Sequence, residues 1–337
     1  MIIQLENNIS KNNFESILRF INSIDYSYSE VKTQLGRYLI AIGKNEFDIR
    51  AAGKLDGVMD IHRVSDNYKL VSKKWKVKPT VIDLGDGVKI GNGHFSIMAG
   101  PCSIENEEQI EVMVKHLKKN NIGIMRGGVF KPRSSPYAFR GLGIEGLKSF
   151  HKIARSNGIR IVTEVMQVSQ IEEMVNYVDI FQVGTRNAQN FNLLDELGKV
   201  NKPVLLKRGM SGTIEELLQA AEYIFSNGNE SIILCERGIR TYEKSYRNTL
   251  DLSAVPILKD KSHLPVVVDP SHGIGLRKHI EKMTLASIMA GADGVIVEVH
   301  EQPEKALSDG QQTLNFRQAE QLYHNIDLCY KMRKTLI

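Results

Sequence analysis

From residue 94 to its end the chain alternates short β-branched runs with amphipathic helical stretches, and it does so eight times. The strand runs read HFSIMA, IGIMR, IRIVTE, DIFQVG, PVLLKR, SIILCE, LPVVVD and GVIVEV. Helical patterns such as EEQIEVMVKHLKK and TIEELLQAAEYIFSNG lie between them, several closed by a glycine where a C-cap wants one. Eight βα cycles predict a closed (β/α)8 barrel of the TIM type, which takes about 250 residues. The alternative, a doubly wound sheet, usually carries fewer strands and sets a glycine fingerprint directly after the first one. Here the first strand runs into AGPCS. A G-x-G-x-x-G run does occur at Gly141, Gly143 and Gly146, but it follows KPRSSPYAFR, which reads as a loop. Without a preceding strand it is no dinucleotide site, and its glycines are expected to shape a loop.

Residues 1–68 have another rhythm. MIIQL, a helix from Ser10 to Ile24, the runs EVKTQL and RYLIAIG, a helix around FDIRAAGK, and VMDIHRV predict a ferredoxin-like βαββαβ module. The connector 69–93 ends in VIDLGDGVKIGNG, which reads as a hairpin turning on Gly85, Asp86 and Gly87 and suited to plug the barrel's bottom.

Composition narrows the function classes. A net charge of +5, with no basic stripe or tail, predicts neither nucleic acid nor any other polyanion as partner. No signal-like start and no run of eighteen apolar residues occur, so no membrane span is expected and the cytoplasm is the predicted location. Three widely spaced cysteines offer neither a disulfide framework nor a CxxC zinc site.

A barrel of this type builds its active site at the C-terminal ends of its strands, so the residues found there are the test. They are Cys102, Arg126, Glu164, Arg186, Lys207, Glu236 with Arg237, Asp269 with His272, and Glu298 with His300. Taken singly, a cysteine or histidine is ordinarily a packed or surface residue. Together, Cys102, His272, Glu298 and Asp309 offer a mixed S/N/O donor set for a divalent transition metal, with Mn, Fe, Co, Zn and Cu all admissible. Cys235 and Cys329 are expected to be packing residues. Arg126, Lys131, Arg133, Arg186, Lys207 and Arg237 would crowd positive charge around one cavity, which calls for anionic ligands.

The motifs GPCS, RGGVFKPRSSPYAFRG, QVGTRNAQN, LLKRG, LCERGIRTYEK, VDPSHGIG and VEVH followed by LSDGQQTL resemble the type Iβ 3-deoxy-D-arabino-heptulosonate 7-phosphate (DAHP) synthases, over roughly residues 69–312. The resemblance implies metal-dependent condensation of phosphoenolpyruvate with erythrose 4-phosphate, the first step of the shikimate pathway. It implies Cys102, His272, Glu298 and Asp309 as metal ligands, and Arg126, Lys131 and Lys207 on the phosphoenolpyruvate carboxylate. Its phosphate would lie on Arg186, Arg237 and the backbone at Gly184 and Thr185, and the phosphate of erythrose 4-phosphate on Arg133 and Ser134. Lys207 and His272 are implied as candidates for proton transfer, and Glu164 for orienting water. A regulatory role for residues 1–68, inhibition by tyrosine or phenylalanine, and a homotetramer are implied as well. The competing resemblance is to 3-deoxy-D-manno-octulosonate 8-phosphate synthase, against which the run Lys131-Pro132-Arg133 speaks.

Overall fold

The structure, a computed structural model, describes residues 1–131 and 137–336. Arg133 and Ser134 lie outside the described residues. The N-terminal elements are β1 (Ile2–Leu5), α1 (Lys11–Ser23), β2 (Ser27–Lys32), β3 (Arg37–Ile42), α2 (Ile49–Gly53) and β4 (Val58–His62). Their strands pair antiparallel in the order β2-β3-β1-β4. Ser10 caps α1 by accepting from the Asn13 amide, and Ile17 and Ile21 on its apolar stripe pack on Ile3, Leu5 and Leu39. β2 lies earlier than the run EVKTQL because Thr33 closes a turn, its Oγ1 accepting from the amides of Leu35 and Gly36. α2 is shorter than FDIRAAGK because Asp48 caps it by accepting from the Arg50 amide.

The module rests against the barrel through Tyr38, whose ring meets that of Trp75 edge to face at 5.3 Å, beside Phe225. Thr33 Oγ1 donates to Glu230 Oε1 at 2.5 Å, and Lys76 Nζ lies 3.1 Å from the other oxygen of that buried carboxylate. The connector is held by Glu222, which accepts from the amides of Leu70 and Val71.

β5 (Ile82–Asp83) and β6 (Lys89–Ile90) form the expected hairpin. The barrel then runs β7 (Ser96–Gly100), α3 (Glu107–Lys119), β8 (Ile124–Arg126), α4 (Gly143–Ser156), β9 (Arg160–Val165), α5 (Ser169–Met174), β10 (Ile180–Val183), α6 (Phe191–Gly198), β11 (Val204–Lys207), α7 (Ile214–Ser226), β12 (Ile232–Glu236), α8 (Ala254–Lys261), β13 (Val266–Val268), α9 (Pro270–Ile274), α10 (Arg277–Met289), β14 (Gly294–Glu298) and α11 (Phe316–Leu336). Each strand pairs parallel with the next, and β14 closes on β7. Of the G-x-G-x-x-G run, Gly141 lies in the loop as expected, while Gly143 begins α4 and Gly146 lies within it; Gly141 and Gly143, with φ of +95° and +67°, turn the chain into that helix.

The ladder register places Met98, Ile124, Val162, Ile180, Leu205, Ile233, Val267 and Ile296 in the barrel interior, where Ile82 and Ile90 of the hairpin complete one cluster. The hairpin therefore plugs the N-terminal end. Among the described residues no helix is long and apolar enough to cross a membrane.

Candidate active site

Side chains alternate along a strand, so the inward face returns every second residue. Two positions beyond the apolar layer, that face carries Arg126, Glu164, Gln182, Lys207, Asp269 and Glu298, and Arg237 follows on β12 after the interior Cys235. The same rule removes Glu236 from the mouth, although it ends its strand as expected. It points outward to Arg208, whose Nη1 lies 2.9 Å from Glu236 Oε2 and 2.8 Å from Asp251 Oδ2. His300 also leaves the mouth for a cleft beside α3, its Nε2 3.8 Å from Glu105. Cys235 is buried in the barrel's interior cluster and half-buried Cys329 packs on the main core, as packing residues should.

One ligand atom each from Cys102, His272, Glu298 and Asp309 lie within 4.8 Å of one another. That spread fits one ion, whose bonds to S, N and O donors run about 2.0–2.3 Å. Asp269 Oδ2 accepts from His272 Nδ1 at 2.8 Å, which leaves the Nε2 lone pair for the cluster. Glu298 is oriented on both oxygens: Arg126 Nη1 donates to Oε1 at 3.2 Å and Gln312 Nε2 to Oε2 at 2.8 Å. Cys102 Sγ donates to Asp309 Oδ2 at 3.1 Å and accepts from Lys131 Nζ at 3.1 Å. Burial, then the charge of Glu298, pushes its thiol up to about 11. Burial works against the Asp309 carboxylate, but the Cys102 hydrogen bond, His272 and Arg247 bring it down to about 2. The donors thus fit a soft-to-borderline divalent ion, whose binding would expel the thiol proton.

Beside this cluster lies a cavity of about 270 Å³, into which Arg126, Lys131, Arg186, Lys207 and Arg237 face together with Glu164, Gly184 and Thr185. The predicted substrate residues that are described are thus brought together. Buried Lys207 donates to buried Asp269 Oδ2 at 2.5 Å. The carboxyl of Asp269 is held well below the usual range: burial opposes its charge, and His272 and Lys207 overcome it. Arg237 has backbone carbonyls for partners, those of Gly238 and His272. Burial lowers its guanidinium from the ordinary value, Asp269 opposing and Arg247 reinforcing. Glu164 accepts from Gln182 at 3.3 Å and lies so close to Gly184 that a Cβ there would sit 2.0 Å from its Oε1. Glycine at 184 is what lets carboxylate and backbone share that wall, and Glu164 is not one of the four clustered donors.

Sequence reasoning missed Gln182, Arg240, Arg247, Asn248 and Gln312. Gln182 was findable, being the inward residue of β10. Arg247 reaches Asp309 (3.3 Å) and Gln312 (3.0 Å) from the long loop after β12, and Asn248 Nδ2 donates to the His272 carbonyl at 2.9 Å. Nothing local in that loop announces either contact.

The model of the DAHP synthetase I family matches residues 74–333. A phospho-2-dehydro-3-deoxyheptonate aldolase of Thermotoga maritima is 46% identical over 96% of this chain and 95% of its own length. A crystal structure of phospho-2-dehydro-3-deoxyheptonate aldolase (DAHP synthase) from the same organism covers 99% of this chain and 97% of that one, with 45% identity and a TM-score of 0.79. The octulosonate alternative is represented by a 2-dehydro-3-deoxyphosphooctonate aldolase of Geobacter sulfurreducens, 34% identical over only 66% of this chain and 88% of its own, and is not favoured. Likeness over nearly the whole length, in sequence and in fold alike, gives one answer: the chain belongs to the DAHP synthetase I family and is an enzyme of the DAHP synthase class.

Proposed function

We propose that the protein condenses phosphoenolpyruvate with erythrose 4-phosphate and water to give DAHP and inorganic phosphate, as a metal-dependent cytoplasmic enzyme opening the shikimate pathway. The observation that carries this reading is the four-donor cluster set against a cation-lined cavity. When bound, the ion supplies Lewis-acid polarisation to the acceptor's aldehyde. The chain's residues do the rest. Arg126, Lys131 and Lys207 bind the phosphoenolpyruvate carboxylate, and Arg186, Arg237 and the backbone at Gly184 and Thr185 bind its phosphate, which fixes the direction C3 faces. Arg133 and Ser134, outside the described residues, take the acceptor's phosphate. C3 bonds to the aldehyde carbon, positive charge develops at C2, water adds there, and the C–O bond to phosphate breaks. Glu164, on the Gly184 wall, orients that water, while Lys207 or His272 moves the proton.

The βαββαβ module is read as a regulatory unit through which tyrosine or phenylalanine inhibits a homotetramer; the family resemblance supports this. An effector must bind the inhibited arrangement better than the active one, with a coupling of about 1–3 kcal/mol. A chain lacking residues 1–68 but keeping the connector should stay active and ignore both amino acids.

The test of the reaction is phosphate release from phosphoenolpyruvate with erythrose 4-phosphate, run against arabinose 5-phosphate. Strong preference for the four-carbon acceptor is expected. Comparable turnover of arabinose 5-phosphate would move the assignment to the octulosonate enzymes.

A further inference from the structure

A second cavity, of about 400 Å³, opens on the same end of the barrel, between the loops that follow β10 and β11 and the start of α7. Thr185, Arg186, Met210 and Arg240 line both this outer cavity and the inner one, so the two share a wall. Arg186 and Arg240 are exposed, and neither guanidinium makes a hydrogen bond or ion pair among the described residues. Neighbouring Arg208 is the contrast, being spent on Glu236, Asp251 and the Gly212 carbonyl. The acid of the outer cavity, Glu216, is spent too: its Oε2 accepts from the Thr213 amide and hydroxyl, and its Oε1 from Gln189. Glu216 also stands outside the shared wall, whose charged groups are Arg186 and Arg240, so the open charge there is positive.

Two open guanidinium groups that line two adjoining cavities suit an anion handed from one to the other. Guanidinium forks match phosphate oxygens, and the charge-assisted bonds they make are about twice as strong as neutral ones. A dianion formed in the inner cavity would leave slowly against such bonds unless new donors replaced them along its way out. We propose that the outer cavity is a transit subsite for the inorganic phosphate released by the condensation, with Arg186 and Arg240 handing it outward; this rests on the reaction proposed above.

The experiment is initial-rate inhibition of the metal-loaded, full-length enzyme by inorganic phosphate. Two components are expected: one competitive with phosphoenolpyruvate, from the inner clamp, and one that persists at saturating phosphoenolpyruvate, from the outer cavity. Ser211→Glu adds a carboxylate to the outer cavity alone and should weaken the persistent component about fivefold or more, while the competitive component and the KM for phosphoenolpyruvate stay within about twofold. Arg240→Gln should weaken the same component. Absence of a persistent component in the unmodified enzyme overturns the proposal. So does an Arg240→Gln enzyme whose main defect is a raised KM for phosphoenolpyruvate, which would place Arg240 in the inner clamp. A raised KM for erythrose 4-phosphate in either variant would give the outer cavity to the acceptor instead. An unmodified enzyme that forms no DAHP at all overturns the reaction itself, which none of the phosphate-inhibition outcomes does.

Discussion

At the N-terminal end of the barrel the inward positions are Met98, Ile124, Leu205, Ile233 and Ile296, sealed by Ile82 and Ile90. Two residues on, the same faces of the same strands carry Arg126, Lys207 and Glu298, and on the strand of Ile233, beyond Cys235, Arg237. Backbone geometry does not separate the ends; side chains alone do. Below, burying each Leu- or Ile-sized side chain contributes about 1.5–3 kcal/mol. Above, every charge taken from water needs an answer, and the answers are graded. Arg126 has Glu298 and Lys207 has Asp269, Arg237 has only backbone carbonyls, and Arg186 has no partner among the described residues. One end holds the barrel together, while the other keeps positive charge open for anions at some expense of stability.

The largest expected effect belongs to the mouth. Excess chelator should abolish turnover, a divalent transition metal should restore it, and Cys102→Ser should lower metal affinity about 100-fold or more while leaving the chain folded. Full activity in excess chelator would break the contrast at its centre. The plug answers with the opposite signature: Ile90→Ala should lose about 2–4 kcal/mol in denaturant unfolding by opening a cavity, with metal affinity unchanged. A plug variant that weakened metal binding as Cys102→Ser does would mean that the two ends are not separable.

A third substitution probes how far order in the mouth depends on one buried carboxylate. Asp269→Asn keeps the shape but offers an amide where His272 Nδ1 and Lys207 both donate, and so favours the tautomer with its proton on Nε2. Metal affinity, titrated with the metal alone, should fall about 10–100-fold. An unchanged affinity would show that Asp269 does not set the tautomer.

Much of this contrast is legible in the sequence, and what is not has a physical reason. Eight runs of β-branched residues, with ionisable residues at the ends of most of them, announce the barrel and its mouth, and the hairpin's glycines announce the plug. Alternation alone already forbids adjacent Glu236 and Arg237 from facing the same way, and it is Glu236 that turns outward, to Arg208. Gln312, Arg247 and Asn248 are different. Their partners Glu298, Asp309 and the His272 carbonyl lie on other elements, and loops carry no periodicity from which a distant contact follows. The boundaries of β2 and α2 were set by the caps Thr33 and Asp48 rather than by propensity. In a short element one cap outweighs a few tenths of a kcal/mol per residue.

The smallest expected effect concerns the cation that breaks the pattern. Arg160 opens β9 on the inward face, at the plugged end, and its side chain is buried. Unlike the arginines of the mouth it is fully answered, donating through Nε to the Leu84 carbonyl at 2.7 Å and pairing through Nη2 with Asp86 in the hairpin turn. Asp86 itself is 76% exposed, so its share of the pair is screened by water and worth at most about 1 kcal/mol. Its loss also leaves Arg160 bound to Leu84. Asp86→Ala should therefore move the unfolding midpoint barely, well under the Ile90→Ala shift, and leave phosphate release untouched. A loss as large as that of Ile90→Ala would show that the plug is held by this ion pair rather than by its apolar contacts, and the division between an apolar end and a charged end would fail where it looks simplest.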